Sequence, residues 1–219
     1  LPIWAQKLKS FFSVLGVVVG VMFLVTVVSV IEGMDRYVKE DFAREVYGLH
    51  TLTVRRRPSV ELNPTEERRR ALARRPRLTF QDAEAIARAL GAAALVAVQS
   101  EGSGRVESET GTAVENVWLT GASGDYFSIR EYDVERGRLF GAPEDRAGAP
   151  VVVLGRDAAD KLFGLLDPIG RTVRIGGARY RVIGVLERQG TLFGFSLDNR
   201  AIAPARSPLG RLVAPRGSV

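Results

Sequence analysis

The sequence predicts a mixed α+β domain behind one N-terminal transmembrane helix, and three observations predict it. The first is a block of twenty-one consecutive uncharged residues, Phe11 to Ile31, built mainly from Val, Leu, Phe, Ile and Met. The second is that helix-period and strand-period segments follow one another further along the chain without regular alternation. The third is composition: 219 residues, 46% apolar and 26% charged, with a mean hydropathy close to zero. Such a chain buries a core and is neither disordered, collagenous nor disulfide-stapled. It has no cysteine and one histidine, His50. A Cys/His zinc site, a thiol nucleophile and a Ser-His-Asp relay with a choice of histidines are therefore ruled out or nearly so.

At about 1.5 Å per residue the uncharged block makes a helix of roughly 31 Å, matching a hydrocarbon core about 30 Å thick. A cleavable secretory signal has a shorter apolar region and a small-x-small cleavage site. Ser29-Val30-Ile31-Glu32 is a poor one, so the helix is expected to stay. Lys7 and Lys9 precede the span, while Glu32, Asp35, Glu40, Asp41 and Glu45 follow it. The basic-residue rule then favours a cytoplasmic N-terminus, although Arg36, Lys39 and Arg44 reduce the contrast. Beyond the block the longest uncharged stretch, Ala89 to Ser100, is too short to cross. Inside the span, Gly16 and Gly20 form a Gly-x-x-x-Gly pair that would let another helix approach closely, or that is idle.

Residues 1–47 are expected to hold a cytoplasmic stub, the span at about 11–31 and its helical extension, because Met34, Val38, Phe42 and Val46 recur every fourth residue up to Gly48. Residues 48–203 are expected to form the exterior domain, and 204–219, rich in Pro, Gly and Arg, a loosely ordered tail. Within the domain, Leu49 to Arg55 alternates as a strand. Asn63-Pro64 before Glu66 and Glu67 opens a helix. Thr79 with Asp82 opens another, which ends at Gly91. Strands are expected at Ala94–Gln99, on either side of a turn near Gly111 between Val106 and Thr120, and at Pro150–Leu154. A short helix from Asp157 to Phe163 stops at Gly164. Thr172–Ile175 and Arg179–Leu186 flank Gly176-Gly177, a two-residue hairpin signal.

Between Arg55 and Arg77 nine arginines face three glutamates, an excess equal to the net charge of the chain, +6. The arginines are Arg55, Arg56, Arg57, Arg68, Arg69, Arg70, Arg74, Arg75 and Arg77. Such a stretch can be a solvated helix face, a dock for an acidic protein, or a contact for lipid headgroups. Without aromatic residues to stack bases it does not read as a nucleic-acid site. None of the four lysines follows a glycine, so there is no phosphate-binding loop. Gly102-Ser103-Gly104 reads as a turn. Glu107 with Glu109, and Asp198 with Asn199, read as surface carboxylates, and His50 as a packed or exposed histidine. No catalytic residue, metal or cofactor is expected. Phe193 and Phe195 mark a loop that is either an exterior contact or ordinary core at a strand end.

The segments Leu15-Gly16-Val17-Val18-Val19-Gly20-Val21 and Ser29-Val30-Ile31-Glu32-Gly33 resemble the first membrane helix of MacB-type (MacB/FtsX-like) ABC-transporter permeases. The exterior run Thr120-Gly121-Ala122-Ser123-Gly124-Asp125-Tyr126-Phe127, followed by Glu135-Arg136-Gly137-Arg138-Leu139-Phe140, carries the same resemblance. So do Val152-Val153-Leu154-Gly155, Leu162-Phe163-Gly164, Asp167-Pro168-Ile169-Gly170, Tyr180-Arg181-Val182-Ile183-Gly184-Val185-Leu186, Gln189-Gly190 and Phe193 to Asn199. The ordered set covers roughly residues 11–204.

The resemblance implies a non-enzymatic subunit of a bacterial inner membrane with its main domain in the periplasm. In that family a separate cytoplasmic ABC ATPase supplies energy, membrane-helix movement reaches the periplasmic domain, and partners include a periplasmic adaptor. The family also carries three membrane helices after this domain, which the sequence given does not contain. Two readings follow. One is a single-span structural subunit, or scaffold, contacting other membrane-complex subunits and the bilayer through its helix and exterior domain. The other is a permease component shown in part.

Overall fold

The computed structural model describes residues 7–37, 51–56, 65–192 and 194–214. The chain divides into two units, Leu1–Thr51 and Leu52–Val219. In the first, helix α1 runs Lys7–Tyr37. Its stretch Phe11–Glu32 is long and apolar enough to cross a bilayer. The hydroxyl of Thr26 donates to the carbonyl of Met22 at 2.8 Å, which hides a polar group that hydrocarbon could not satisfy. Val38, Phe42, Val46, Gly48 and His50 lie outside the described residues.

The second unit opens with Leu52–Arg56, which has no strand pairing, contrary to the expected strand there. Helices α2 (Glu66–Arg74) and α3 (Phe80–Leu90) follow; Asn63-Pro64, expected to start α2, is outside the described residues. The start of α3 is fixed by a capping box in which the Asp82 carboxylate accepts from the Thr79 N–H at 2.8 Å and the Asp82 N–H donates back to the Thr79 hydroxyl at 3.3 Å. The Thr79 hydroxyl, which donates to the same carboxylate at 2.8 Å, and then the Thr79 N–H hold the Asp82 carboxyl below its ordinary pKa.

The remaining elements, in chain order, are β1 (Gln99–Ser108), β2 (Ala113–Ala122), α4 (Tyr126–Ile129), β3 (Val134–Gly137), α5 (Ala142–Arg146), β4 (Val151–Leu154), α6 (Arg156–Phe163), β5 (Thr172–Ile175), β6 (Ala178–Leu186), β7 (Thr191–Leu192), β8 (Phe195–Ser196), β9 (Arg200–Pro204) and α7 (Pro208–Val213). Seven strands pair in the order β3-β6-β4-β9-β2-β1-β5, and β5 also pairs with β6. The pairing thus returns on itself as a six-stranded ring with β3 appended to β6, and closure leaves few open strand edges. Two pairings are parallel, β2 with β9 and β4 with β6.

A ring of six strands is narrow enough for side chains to fill it. Val106, Leu119, Leu154, Ile175, Tyr180 and Ala201, one from each strand, are almost wholly buried in one cluster with Leu162 of α6 and Leu209 of α7. A second cluster joins Tyr126 and Phe127 of α4 and Phe140 to Val151, Val153 and Ile202. Phe127 and Phe140 meet edge to face at 4.8 Å. Strand β4 contributes alternate residues to both clusters, which explains why Val151–Leu154 is a continuous apolar run instead of an alternating one.

Three sequence expectations fail here for physical reasons. Ala94–Gln99 is not a strand of its own: only Gln99 is paired, as the first residue of β1, because the backbone of Val98 bonds the main chain and hydroxyl of Ser123 instead of a ladder. Gly102-Ser103-Gly104 is not a turn but lies inside β1. The two glycines leave room there for Val213 and Leu119, which a Cβ would meet at 3.0 and 2.9 Å. The loose tail expected from residue 204 is not seen up to Ala214: α7 places Leu209 wholly inside the barrel cluster. Residues 215–219 lie outside the described part.

Asp145 of α5 is buried, and its carboxylate accepts from the Arg206 N–H at 3.4 Å. Desolvation raises its pKa above the ordinary aspartate value. The folded state then binds the proton more tightly than the unfolded chain. The carboxyl's contribution to stability therefore falls as pH rises from the unfolded pKa, about 3.9, towards the folded one. Asp145→Asn is uncharged at every pH, and we expect it to melt a few degrees higher than the parent near pH 7, by about 2–4 °C per kcal/mol for a domain of this size. At pH 3.5 the two should melt together. Thermal melts at both pH values check this, and an equal offset at both would refute it.

Candidate interaction surfaces

The acidic residues singled out in the sequence are engaged in structural contacts. Glu109 accepts from the Thr172 N–H at 3.2 Å and from Arg171 at 2.8 Å, and these contacts lower its pKa in that order of importance. Glu107 lies 4.0 Å from Arg105. Asp198, expected at the surface, is buried. Its two oxygens accept from the N–H groups of Gln189 at 2.7 Å and Gly190 at 2.9 Å. Among the described residues no group of three or more His, Cys, Asp or Glu could hold a metal ion.

Those bonds of Asp198 build a mount. Its N–H donates to the Ser196 hydroxyl at 3.1 Å, and that hydroxyl donates to Asp157 of α6. The Asp198 carbonyl accepts from the Ala158 N–H at 3.3 Å. Arg188 reaches Asp160 at 3.6 Å. The small β7–β8 ribbon is thereby pinned to the first turn of α6. Phe195, paired with Leu192 across the ribbon, is 77% exposed; Phe193 lies outside the described residues. Sequence reading missed two further exposed apolar positions, Leu165-Leu166 after α6 and Trp118 on β2. The leucine pair had a legible signal, since it follows Gly164, whose positive φ ends the helix.

Of the arginine segment, Arg55, Arg70, Arg74, Arg75 and Arg77 are exposed and Arg56 is half-buried. Arg57 is outside the described residues, and the side chains of Arg68 and Arg69 on α2 are not described. Arg56 Nε donates to the Arg75 carbonyl at 3.0 Å and Arg75 Nη1 to the Arg56 carbonyl at 3.3 Å. Helix α2 is anchored by Leu72, which is buried. On α1, Gly16 and Gly20 are one turn apart with nothing within 4 Å of where a Cβ would stand.

A helix long and apolar enough to cross a bilayer is thus followed in the chain by a filled α+β barrel with exposed apolar side chains. The model of the MacB-like periplasmic core domain matches residues 10–217, and the chain belongs to that family. It is 29% identical over 192 residues to the macrolide export ATP-binding/permease protein MacB of Neisseria meningitidis serogroup A, covering 88% of this chain and 28% of that one. The protein of the same description from Rhodospirillum rubrum is 31% identical over 221 residues, covering 97% of this chain and 31% of that one. The chain thus spans about three-tenths of the length of these curated relatives.

Two crystal structures share the fold. The periplasmic region of MacB from Actinobacillus actinomycetemcomitans gives a TM-score of 0.54 at 22% identity, over 69% of this chain and 65% of that one. The extracellular domain of the transporter YknZ from Gram-positive bacteria gives 0.52 at 24%, over 64% and 68%.

Proposed function

We propose that the chain is a non-enzymatic docking module of a bacterial inner-membrane complex, anchored by α1 with its N-terminus in the cytoplasm and its barrel domain in the periplasm. The observation that carries this reading is Phe195. A 77% exposed aromatic sits on a ribbon fixed by Asp157 and Asp198, so a partner can bury it at little ordering cost. Side chains from all six strands fill the barrel, which leaves the outer surface as the place of contact. Gly16 and Gly20 would serve the same end in the bilayer by admitting a neighbouring helix. In a transport assembly the module passes ATP-driven helix movement to the periplasm, with an ABC ATPase and a periplasmic adaptor as partners; the names of its relatives favour this role. In another membrane complex the same surfaces serve a scaffold.

Purification of the full chain from its own membranes in mild detergent, with mass spectrometry of co-purifying proteins, tests both readings. Recovery of an ABC ATPase supports the transport role, and recovery of an unrelated membrane assembly supports the scaffold. We expect Phe195→Ser to lower partner recovery several-fold while the domain's melting temperature stays unchanged. Undiminished recovery in that variant refutes docking through the ribbon.

A further inference from the structure

We propose that two described stretches of the second unit, Leu52–Arg56 and the helix and turn from Glu66 to Arg75, form a lipid-binding face that rests on anionic phospholipid headgroups. The proposal rests on α1 crossing the bilayer and is independent of which way it points, because Leu52 lies only twenty residues beyond Glu32 and therefore faces the same leaflet that α1 exits.

Two sets of exposed side chains lie on these stretches. Leu52 is 92% and Val54 59% exposed, alternate residues directly before Arg55. Arg70, Arg74 and Arg75 are exposed on and after α2. The reciprocal bonds between Arg56 and Arg75 tie the apolar segment to the end of that helix, so the two sets are presented together. An acidic protein face would meet the guanidinium groups but offer nothing to two bare aliphatic side chains. A bilayer interface takes both, phosphates pairing with arginine forks and aliphatic groups entering the acyl boundary.

The tether makes weak contacts count. Twenty residues reach at most about 70 Å when fully extended, so the segment is held at high effective concentration near the membrane. Each basic residue close to an anionic surface raises partitioning roughly fivefold within a Debye length of about 8 Å. Between Arg55 and Arg77 the excess is six charges.

The test uses the full chain in nanodiscs of phosphatidylcholine, alone or with about 30% phosphatidylglycerol, an anionic content sufficient to attract basic segments. Hydrogen exchange is read across residues 66–79. We expect exchange to slow about fivefold or more in the anionic discs and to recover near 0.5 M NaCl, where screening is roughly twice as tight. Arg70→Gln/Arg74→Gln should abolish the protection, whereas Arg174→Gln/Arg179→Gln, which removes the same charge from exposed sites on the barrel, should leave it intact. Equal exchange in both kinds of disc, or protection that appears only on adding an acidic protein, overturns the proposal with the span still standing. A chain that enters neither disc overturns the span itself, and this proposal with it.

Discussion

Gly210→Ala is expected to destabilise the barrel domain by about 3 kcal/mol, the upper part of the range for overpacking a tight contact. A Cβ at this position would stand 1.8 Å from the carbonyl oxygen of Ala205 and 2.6 Å from its carbon. Both are backbone atoms that cannot swing aside. The other face of the residue is also tight, since a Cβ on Gly121 of β2 would lie 2.7 Å from the Gly210 Cα. Helix α7 therefore lies on β2 through a glycine-to-glycine contact, and adding a methyl group must lift it. Lifting it withdraws Leu209, which is wholly buried in the barrel cluster, and uncovers Gly102 and Gly176, which Val213 and Leu212 now cap.

For a domain of this size 3 kcal/mol corresponds to a drop in Tm of about 6–12 °C. Denaturant unfolding checks the magnitude, and faster hydrogen exchange along β1 and β2 checks the cause. Gly121→Ala should cost a similar amount, and the double variant less than the sum, because a helix already lifted cannot clash twice. Gly16→Ala, with nothing within 4 Å, is the neutral comparison. An unchanged midpoint in Gly210→Ala would refute this account of how α7 docks.

That helix also shows where sequence reading stops. Local signals were legible: Thr79 and Asp82 cap α3, Gly176 and Gly177 turn β5 into β6 with positive φ, and the apolar run of β4 forms a strand. Each is decided by residues a few positions apart. The ring closure was not legible, because it depends on pairings such as β2 with β9, where Trp118 lies opposite Arg200, and no local pattern encodes a partner 82 residues away. Segment 204–214 looked like tail because proline, glycine and arginine are read as loop formers. Here Pro208 occupies the first turn of a helix, where a proline costs nothing, and Gly210 is the contact point. Asp198 looked like surface because a carboxylate shows its burial only when its donors are known. The donors are main-chain N–H groups, invisible in composition. In the sequence Phe195 reads either as core or as contact, because exposure depends on where the β7–β8 ribbon lies on the barrel, and no local pattern encodes that.

The arginine pair Val21→Arg/Leu24→Arg is expected to remove the chain from the membrane. On insertion scales an arginine at the centre of a spanning helix costs about 2.5–3.5 kcal/mol, so two cost about 5–7 kcal/mol, while the apolar residues lost gave a few tenths each. Both positions fall in the middle of Phe11–Glu32, too far from either end for easy snorkelling. The parent chain should resist alkaline carbonate extraction, and the variant should appear in the soluble or aggregated fraction with its barrel domain still folded. A variant that still floats with the membranes after carbonate treatment would mean that α1 is not what holds the chain. The chain lacks cysteine, so one substitution at exposed Arg179 on β6 gives a clean reporter of side: an impermeant maleimide should label it from the periplasm of intact cells. Labelling that requires lysis would put the barrel in the cytoplasm, where a periplasmic adaptor cannot reach Phe195.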